Sequence, residues 1–102
     1  SFTDHLKAFE QDPETSVVCV IGEIGGPQEA QAAAFARDHM HKKVVAYIAG
    51  LSAPKGRTMG HAGAIVTGPG ESAAEKIEIM KDHGVTVVER PSDFGTVISK
   101  LL

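Results

Sequence analysis

Three short runs of apolar, mostly β-branched residues constrain the fold of this chain more than any other feature. They cover residues 16–21, 44–49 and 85–88, and segments with helical spacing separate them. Continuous apolar runs of this length are typical of strands that are buried on both faces of a parallel sheet. Because strands that alternate with helices indicate βαβ crossovers, the sequence predicts an α/β fold with a parallel sheet.

Four segments with helical periodicity complete the predicted order. They lie before Pro13 and over residues 28–40, 71–83 and 94–101. Apolar residues recur along them at the three- and four-residue intervals of a helix that packs on one face. The predicted order is therefore helix, strand, helix, strand, loop, helix, strand, helix.

A parallel sheet of three strands is narrow, and the leading helix has no strand before it. We therefore expect residues 1–102 to be part of one truncated three-layer domain, to which this chain contributes three strands and about four helices. The alternative is a small self-contained domain. In the first case residues 17–21 form an exposed apolar edge, whereas in the second case that edge is covered or charged.

Composition excludes several classes of function. The chain has 102 residues, with 10 Lys+Arg, 13 Asp+Glu and a formal net charge of −3, so it lacks the basic footprint of nucleic-acid binding. No apolar run approaches the roughly 20 residues that span a bilayer. The single cysteine, Cys19, excludes an internal disulfide and suits a reducing compartment. Its place in an apolar run predicts a small buried side chain.

The candidate site lies where the first two predicted strands end. Ligands of open α/β sheets bind beyond the carboxyl ends of the strands. The first strand ends at residues 22–26, which include Glu23, and the second leads into residues 50–70, which include His61. Both connections emerge at the same edge of the sheet, so we expect Glu23 and His61 to be neighbours. Long loops in small domains are often functional, and residues 50–70 are the predicted active loop.

The residues around His61 favour the binding of an anion such as phosphate. Gly60 and Gly63 flank it and would let backbone N–H groups approach a phosphate. A histidine nucleophile needs one ring nitrogen with a free lone pair, and a carboxylate such as Glu23 would fix that tautomer. Arg57 would either neutralise phosphate or tie the loop to a carboxylate. The alternative is that His61 is a hydrogen-bonded loop residue and Glu23 a solvated strand end.

A pair of histidines lies at the end of the second predicted helix. His39 and His41 form an H-x-H pattern beside Lys42 and Lys43. A structural metal site needs a third and fourth ligand, which this segment lacks. We interpret the pair as a solvated helix end, and no metal site is predicted.

Three sequence strings resemble the α subunit of succinate–CoA ligases (succinyl-CoA synthetases). They are I-G-E-I-G-G at residues 21–26, I-A-G-L-S-A-P at residues 48–54 and G-R-T-M-G-H-A-G-A-I at residues 56–65. The resemblance covers essentially the whole chain and aligns it with the C-terminal part of that subunit. ATP-citrate lyase and malate–CoA ligase share the histidine string, so the resemblance does not fix the acid, although residues 51–54 look closer to the succinate enzyme than to the lyase.

The resemblance implies a fold and a reaction. The family's domain is flavodoxin-like, and this chain would supply its last three strands. The family, which works in the tricarboxylic acid cycle, converts a carboxylic acid, CoA and ATP or GTP with Mg²⁺ into acyl-CoA, nucleoside diphosphate and phosphate. By resemblance, His61 is the histidine that carries the phosphoryl group, and Glu23 is the glutamate that hydrogen-bonds it.

The resemblance also implies which parts of the enzyme lie outside this chain. CoA is held mainly by an N-terminal domain of the α subunit, and nucleotide by the ATP-grasp domain of the β subunit. These are the expected partners, so the chain alone should bind no cofactor and show no ligase turnover. The expected compartment is the cytoplasm, or the mitochondrial matrix in a eukaryote. A different class stays open, namely a stand-alone flavodoxin-like binding or phosphocarrier module whose His61 is modified by a partner kinase.

Overall fold

The order of elements follows the sequence prediction. The computed structural model describes residues 1–50 and 72–102. Its elements are α1 (Phe2–Gln11), β1 (Val17–Gly22), α2 (Gln28–His39), β2 (Lys43–Ile48), α3 (Ala73–Asp82), β3 (Thr86–Val87), a 3-10 turn (Pro91–Asp93) and α4 (Phe94–Leu101). The predicted alternation of helices and strands is therefore confirmed, and nearly all of the predicted active loop lies outside the described residues.

The sheet is parallel, as predicted, with the order β1-β2-β3. The register aligns Val17 with Lys43 at one end and Gly22 with Ile48 at the other. Because the two strands are equally long and aligned throughout, their carboxyl ends lie side by side. This alignment decides where the candidate site sits.

The third strand is shorter than predicted. Only Thr86 and Val87 belong to the ladder, although the apolar run covers residues 85–88. The flanking Val85 and Val88 are nevertheless buried, and the Val88 N–H donates to the Ala46 carbonyl at 2.8 Å. The apolar run therefore marks the buried segment, and the regular pairing is confined to its middle.

Helices cover both faces of the sheet and form the three predicted layers. Residues from α1, α2, α3 and one sheet face share the main core, which includes Leu6, Val20, Ala33, Ala46 and Met80. On the opposite face, α4 contacts β2, where Val45 is fully buried. The sheet is therefore sandwiched, with three helices on one side and α4 on the other.

The expectation that β1 is buried on both faces is wrong. Val18 and Val20 are buried, but Cys19 is exposed and Ile21 keeps 66% of its surface in solvent. Among the described helices, α4 packs over β2 and leaves this face of β1 open to solvent. The prediction of a buried Cys19 side chain fails for the same reason. Strand β2, with helices on both sides, has the doubly buried character that its sequence predicts.

The outer edge of β1 is the exposed edge expected for part of a larger sheet. Within the described ranges, β1 pairs only with β2, so its other side carries no ladder partner. Residues 17–22 contain no charged side chain. Edge strands of self-contained sheets are commonly protected by charges or by a covering segment. The uncharged edge therefore favours the first of the two sequence-based alternatives.

Glu10 ties α1 to the start of β2. Its carboxylate accepts hydrogen bonds from the backbone N–H groups of His41 at 3.1 Å and Lys42 at 3.2 Å. The His41 Nδ1 lies 3.1 Å from the same carboxylate. The backbone N–H of His41, followed by its side chain and the N–H of Lys42, lowers the pKa of Glu10 below its ordinary value.

Burial along α1 predicts unequal effects of shortening its side chains. Leu6 is 2% exposed in the core, whereas Phe9 is 43% exposed. Leu6→Ala should lower the free energy of unfolding by about 2–5 kcal/mol, because the lost contacts leave a cavity. Phe9→Ala should have a clearly smaller effect. Urea unfolding followed by circular dichroism measures both, and equal losses would contradict this packing.

The lowered pKa of Glu10 predicts a pH-dependent contribution to stability. A carboxylate with a lower pKa in the folded state stabilises the fold above its unfolded pKa of about 4.3 and loses this effect as pH falls through the folded value. Glu10→Gln should therefore be less stable than wild type at neutral pH, with the gap closing in acid. Urea unfolding between about pH 7 and pH 3 tests this, with the exposed Glu14→Gln as control. A gap that does not change with pH would contradict the prediction.

Candidate active site

The candidate site lies at the adjacent carboxyl ends of β1 and β2. Residues 22–26, here named the Glu23 loop, begin at the last residue of β1 and lead toward α2. Beside it, the Ala49 N–H donates to the Gly22 carbonyl at 2.9 Å. The chain therefore leaves β2 directly next to the Glu23 loop. The two strand connections emerge at one edge of the sheet, as the sequence predicts.

The backbone of Glu23 is held on both sides of its Cα atom. Its N–H donates to Glu29 Oε2 at 3.0 Å, and its carbonyl accepts from Lys76 Nζ at 2.6 Å. Glu29 lies in the first turn of α2, and Lys76 lies on α3. Two helices therefore fix the strand end that carries the candidate carboxylate.

Glu29 and Lys76 form a buried ion pair. Lys76 Nζ lies 2.7 Å from Glu29 Oε1, and the side chains are 1% (Lys76) and 5% (Glu29) exposed. Lys76 Nζ also donates to the Gly25 carbonyl at 2.6 Å. Its three protons are thus matched by three acceptors, the condition under which a buried ammonium is tolerated. Every buried polar side-chain atom of the described residues has a hydrogen-bond partner.

The local sequence explains how this arrangement forms. Gly25 and Gly26 adopt φ values of +88° and +74°, which favour glycine and turn the chain into α2. Glu29 then falls in the first turn of that helix, where the helix dipole favours negative charge. The two glycines thus determine how the carboxylate of Glu29 reaches back to the loop.

Gly22 is required because the side chain of Glu29 crosses directly over it. A Cβ atom at this position would lie 2.6 Å from Glu29 Oε2, 2.7 Å from Glu29 Cγ and 2.9 Å from Ile48 Cδ1. These distances are shorter than real Cβ contacts. Since Glu29 is itself held by Lys76 and by the Glu23 N–H, it cannot move aside cheaply.

Sequence reasoning missed Glu29 and Lys76, although a signal for both exists. Lys76 shares the buried face of α3 with Ala73 and Met80, and Glu29 shares that of α2 with Ala32 and Ala33. Charged residues are almost never fully buried unless they are paired. A lysine and a glutamate on two otherwise apolar helix faces are therefore the pattern that indicates a buried ion pair.

The other predicted site residues lie outside the described residues. They are His61, Arg57, Gly60 and Gly63, all within residues 51–71. The pairing of Glu23 with His61 stays a prediction. What the structure provides is the position of Glu23 and the point at which the chain leaves β2 for that segment.

A cleft opens over the Glu23 loop. Its volume is about 470 Å³, and its lining includes Glu23, Gly26, Gln28 and Ala49. The cleft lies beyond the carboxyl ends of the strands, where ligands of open α/β sheets bind.

The remaining histidines have separate structural partners. His39 packs against the Phe35 ring at a centroid distance of 5.2 Å, and His41 lies against Glu10. His5 Nδ1 lies 2.8 Å from the Ser1 carbonyl, and His83 Nδ1 lies 2.7 Å from that of Ile79. Within residues 1–50 and 72–102, no three His, Cys, Asp or Glu side chains are grouped so as to hold a metal ion.

The fold and the strand-end site define the class of the protein. It is an α/β protein of the open parallel-sheet type, with its candidate site beyond the strand ends. The model of the CoA-ligase family matches residues 1–90. The chain therefore belongs to the CoA-ligase family.

Curated relatives agree with this assignment. The chain is 57% identical over 102 residues to the malate–CoA ligase α subunit of Methylorubrum extorquens, covering 100% of this chain and 34% of the relative. It is 48% identical over 98 residues to the ADP-forming succinate–CoA ligase α subunit of Staphylococcus epidermidis, covering 96% and 32%. The chain thus spans about a third of the length of these relatives.

Solved structures share the fold. An ATP citrate lyase of Methanosaeta concilii matches with a TM-score of 0.87 and 25% identity, over 96% of this chain and 17% of the lyase. The likeness supports the three-layer α/β fold. None of the helices in the described ranges is long and apolar enough to cross a membrane.

The contact at Gly22 predicts a large effect from one methyl group. Gly22→Ala should lower the free energy of unfolding by about 1–3 kcal/mol, because the new Cβ forces Glu29 or the strand end to shift. Gly95→Ala is the control, since a Cβ on Gly95 meets nothing within 4 Å. Denaturant unfolding of both variants measures the difference. A Gly22→Ala variant as stable as wild type would contradict the close approach.

Proposed function

We propose that this chain is the phosphohistidine-bearing part of an acid–CoA ligase α subunit. The complete enzyme would convert a carboxylic acid, CoA and a nucleoside triphosphate into acyl-CoA, nucleoside diphosphate and phosphate. Membership of the CoA-ligase family supports the ligase class. CoA and the nucleotide with its Mg²⁺ would be held by the rest of the α subunit and by a β subunit.

The observation that carries the proposal is the fixed backbone of Glu23 at the strand end. It lies beside the point where the chain departs toward His61, because Ala49 is hydrogen-bonded to Gly22. A carboxylate that orients a histidine must itself be held in place, since small displacements slow a reaction strongly. Two buried side chains supply that restraint on Glu23.

The proposed chemistry assigns one role to each of two residues. In the direction that makes nucleoside triphosphate, His61 Nε2 attacks the phosphorus of an acyl phosphate. An N–P bond forms, the acyl P–O bond breaks, and the free acid leaves. Glu23 accepts the hydrogen bond of Nδ1–H and stabilises the positive charge on the ring. The phosphoryl group then passes to nucleoside diphosphate and regenerates the histidine.

The proposed acid is a four-carbon dicarboxylate. Succinate is supported by the succinate–CoA ligase relatives, and the resemblance of residues 51–54 to the succinate enzymes favours it over the substrate of the lyase. Malate is the second candidate, because a malate–CoA ligase α subunit is 57% identical to this chain. The bacterial source of these relatives supports a cytoplasmic ligase.

A stand-alone phosphocarrier module is the less favoured function. Such a module would have to protect the edge of β1, yet residues 17–22 carry no charge and Ile21 is 66% exposed. An uncharged, open edge suits a sheet that continues in a longer protein.

Phosphoryl transfer to His61 is the direct test. The complete α subunit that contains this chain, assembled with its β subunit, is incubated with Mg²⁺ and labelled ATP or GTP. Wild type should acquire acid-labile, base-stable label, and His61→Ala should acquire none. Glu23→Ala should label about 100-fold more slowly, because it removes the group that holds the ring and its charge. Glu14→Ala, at an exposed carboxylate away from the site, is the control.

The same preparation distinguishes the candidate acids. Adding CoA with succinate, or CoA with malate, should discharge the label only for the true substrate. An assembled complex that acquires no label on His61 would exclude the ligase role and favour the module.

A further inference from the structure

The buried ion pair of Glu29 and Lys76 links α2 to α3 and also contacts the backbone of Glu23. We propose that the pair is a positioning device that sets the direction of the Glu23 side chain for phosphoryl transfer. This inference rests on the proposed function and adds two residues to it. Both residues contact the backbone of Glu23 and would act through it.

The geometry of the contacts carries the inference. Glu29 Oε2 holds the N–H of Glu23, and Lys76 Nζ holds its carbonyl. These groups flank the Cα atom of Glu23 on both sides. When both flanking peptide groups are fixed, the direction of the Cα–Cβ bond is fixed too, and only the side-chain torsions remain. The ion pair between Glu29 and Lys76 couples the two restraints.

The chemical nature of the pair argues against a purely structural role. Buried ion pairs are often replaced by apolar residues of similar volume with no loss of stability. Helices α2 and α3 already share apolar contacts through the core that contains Ala33 and Met80. What apolar side chains could not provide is the three hydrogen bonds to the Glu23 loop, two from Lys76 and one to Glu29.

The pair also restrains the loop without adding net charge. One carboxylate and one ammonium lie 2.7 Å apart, and Lys76 Nζ meets two carbonyls besides Glu29. An unpaired cation or anion at this position would change the electrostatic potential at the strand end. The neutral pair fixes the position of Glu23 and leaves the phosphate chemistry to Glu23 and His61.

A double variant separates positioning from stability. Glu29→Met/Lys76→Met keeps two unbranched side chains of similar length but removes both charges and the three hydrogen bonds that the pair makes to the loop. Val45→Ala is the matched control, because Val45 is fully buried on the opposite face of the sheet. Both variants are made in the complete α subunit and assembled with the β subunit. Their thermal unfolding midpoints are measured first.

Hydrogen–deuterium exchange of the Glu23 loop tests the restraint independently of activity. The amide of Glu23 should exchange at least about tenfold faster in the double variant than in wild type, because it loses its acceptor on Glu29. Val45→Ala should leave this amide protected even where its unfolding midpoint is as low as that of the double variant. Equal protection in wild type and the double variant would overturn the proposal.

The rate of His61 labelling tests the consequence. The double variant should label about 10- to 100-fold more slowly than wild type, with an unchanged KM for the nucleotide, because the orienting group is displaced while nucleotide binding is not. Val45→Ala should label at the wild-type rate. A double variant that is folded and labels at the wild-type rate would overturn positioning and leave the proposed function intact.

The two measurements distinguish a failure of the proposed function from a failure of the positioning proposal. If wild type itself acquires no label, the proposed function is wrong, and the exchange of the Glu23 amide alone decides whether the pair restrains the loop. If wild type labels and only the double variant slows, with the loop deprotected, the assignment of Glu29 and Lys76 as positioning residues is supported.

Discussion

The ammonium group of Lys76 is the contact on which the site geometry depends. It is buried, and it satisfies its three protons on Glu29 and on two carbonyls of the Glu23 loop. A buried charge is tolerated only with such complete compensation. The loop must therefore present its carbonyls inward, and Gly22 must leave room for the side chain of Glu29. Lys76 Nζ therefore contacts the end of β1 through Glu23, the turn through Gly25 and helix α2 through Glu29.

Local sequence patterns predicted the elements well and their surroundings less well. The order of helices and strands follows from periodicity, a property of each segment alone. The burial of β1 does not, because it depends on which strand α4 covers. The runs at β1 and β2 look alike in sequence, yet Ile21 is 66% exposed while Val45 is fully buried. The prediction of a buried Cys19 failed for this reason.

The candidate site was likewise predicted only in part. Topology alone placed Glu23 at the end of β1 and beside the segment that leaves β2, because parallel strands end at one edge. The partners of Glu23 were not predicted, since a lysine and a glutamate on helices are ordinarily solvated. Their positions on otherwise apolar faces of α3 and α2 were the signal. The pairing of Glu23 with His61 is a prediction that the described residues do not address.

The hydrogen bonds that Glu29 and Lys76 make with the Glu23 backbone come from the core side of the sheet, through α2 and α3. Both are made by residues of this chain. The backbone that carries the candidate carboxylate is therefore restrained by helices of this chain. On the proposed function, this arrangement separates two tasks. The edge residues Cys19 and Ile21 remain available for assembly with the rest of the ligase, while Glu29 and Lys76 keep the strand end in one conformation, whatever pairs beside it.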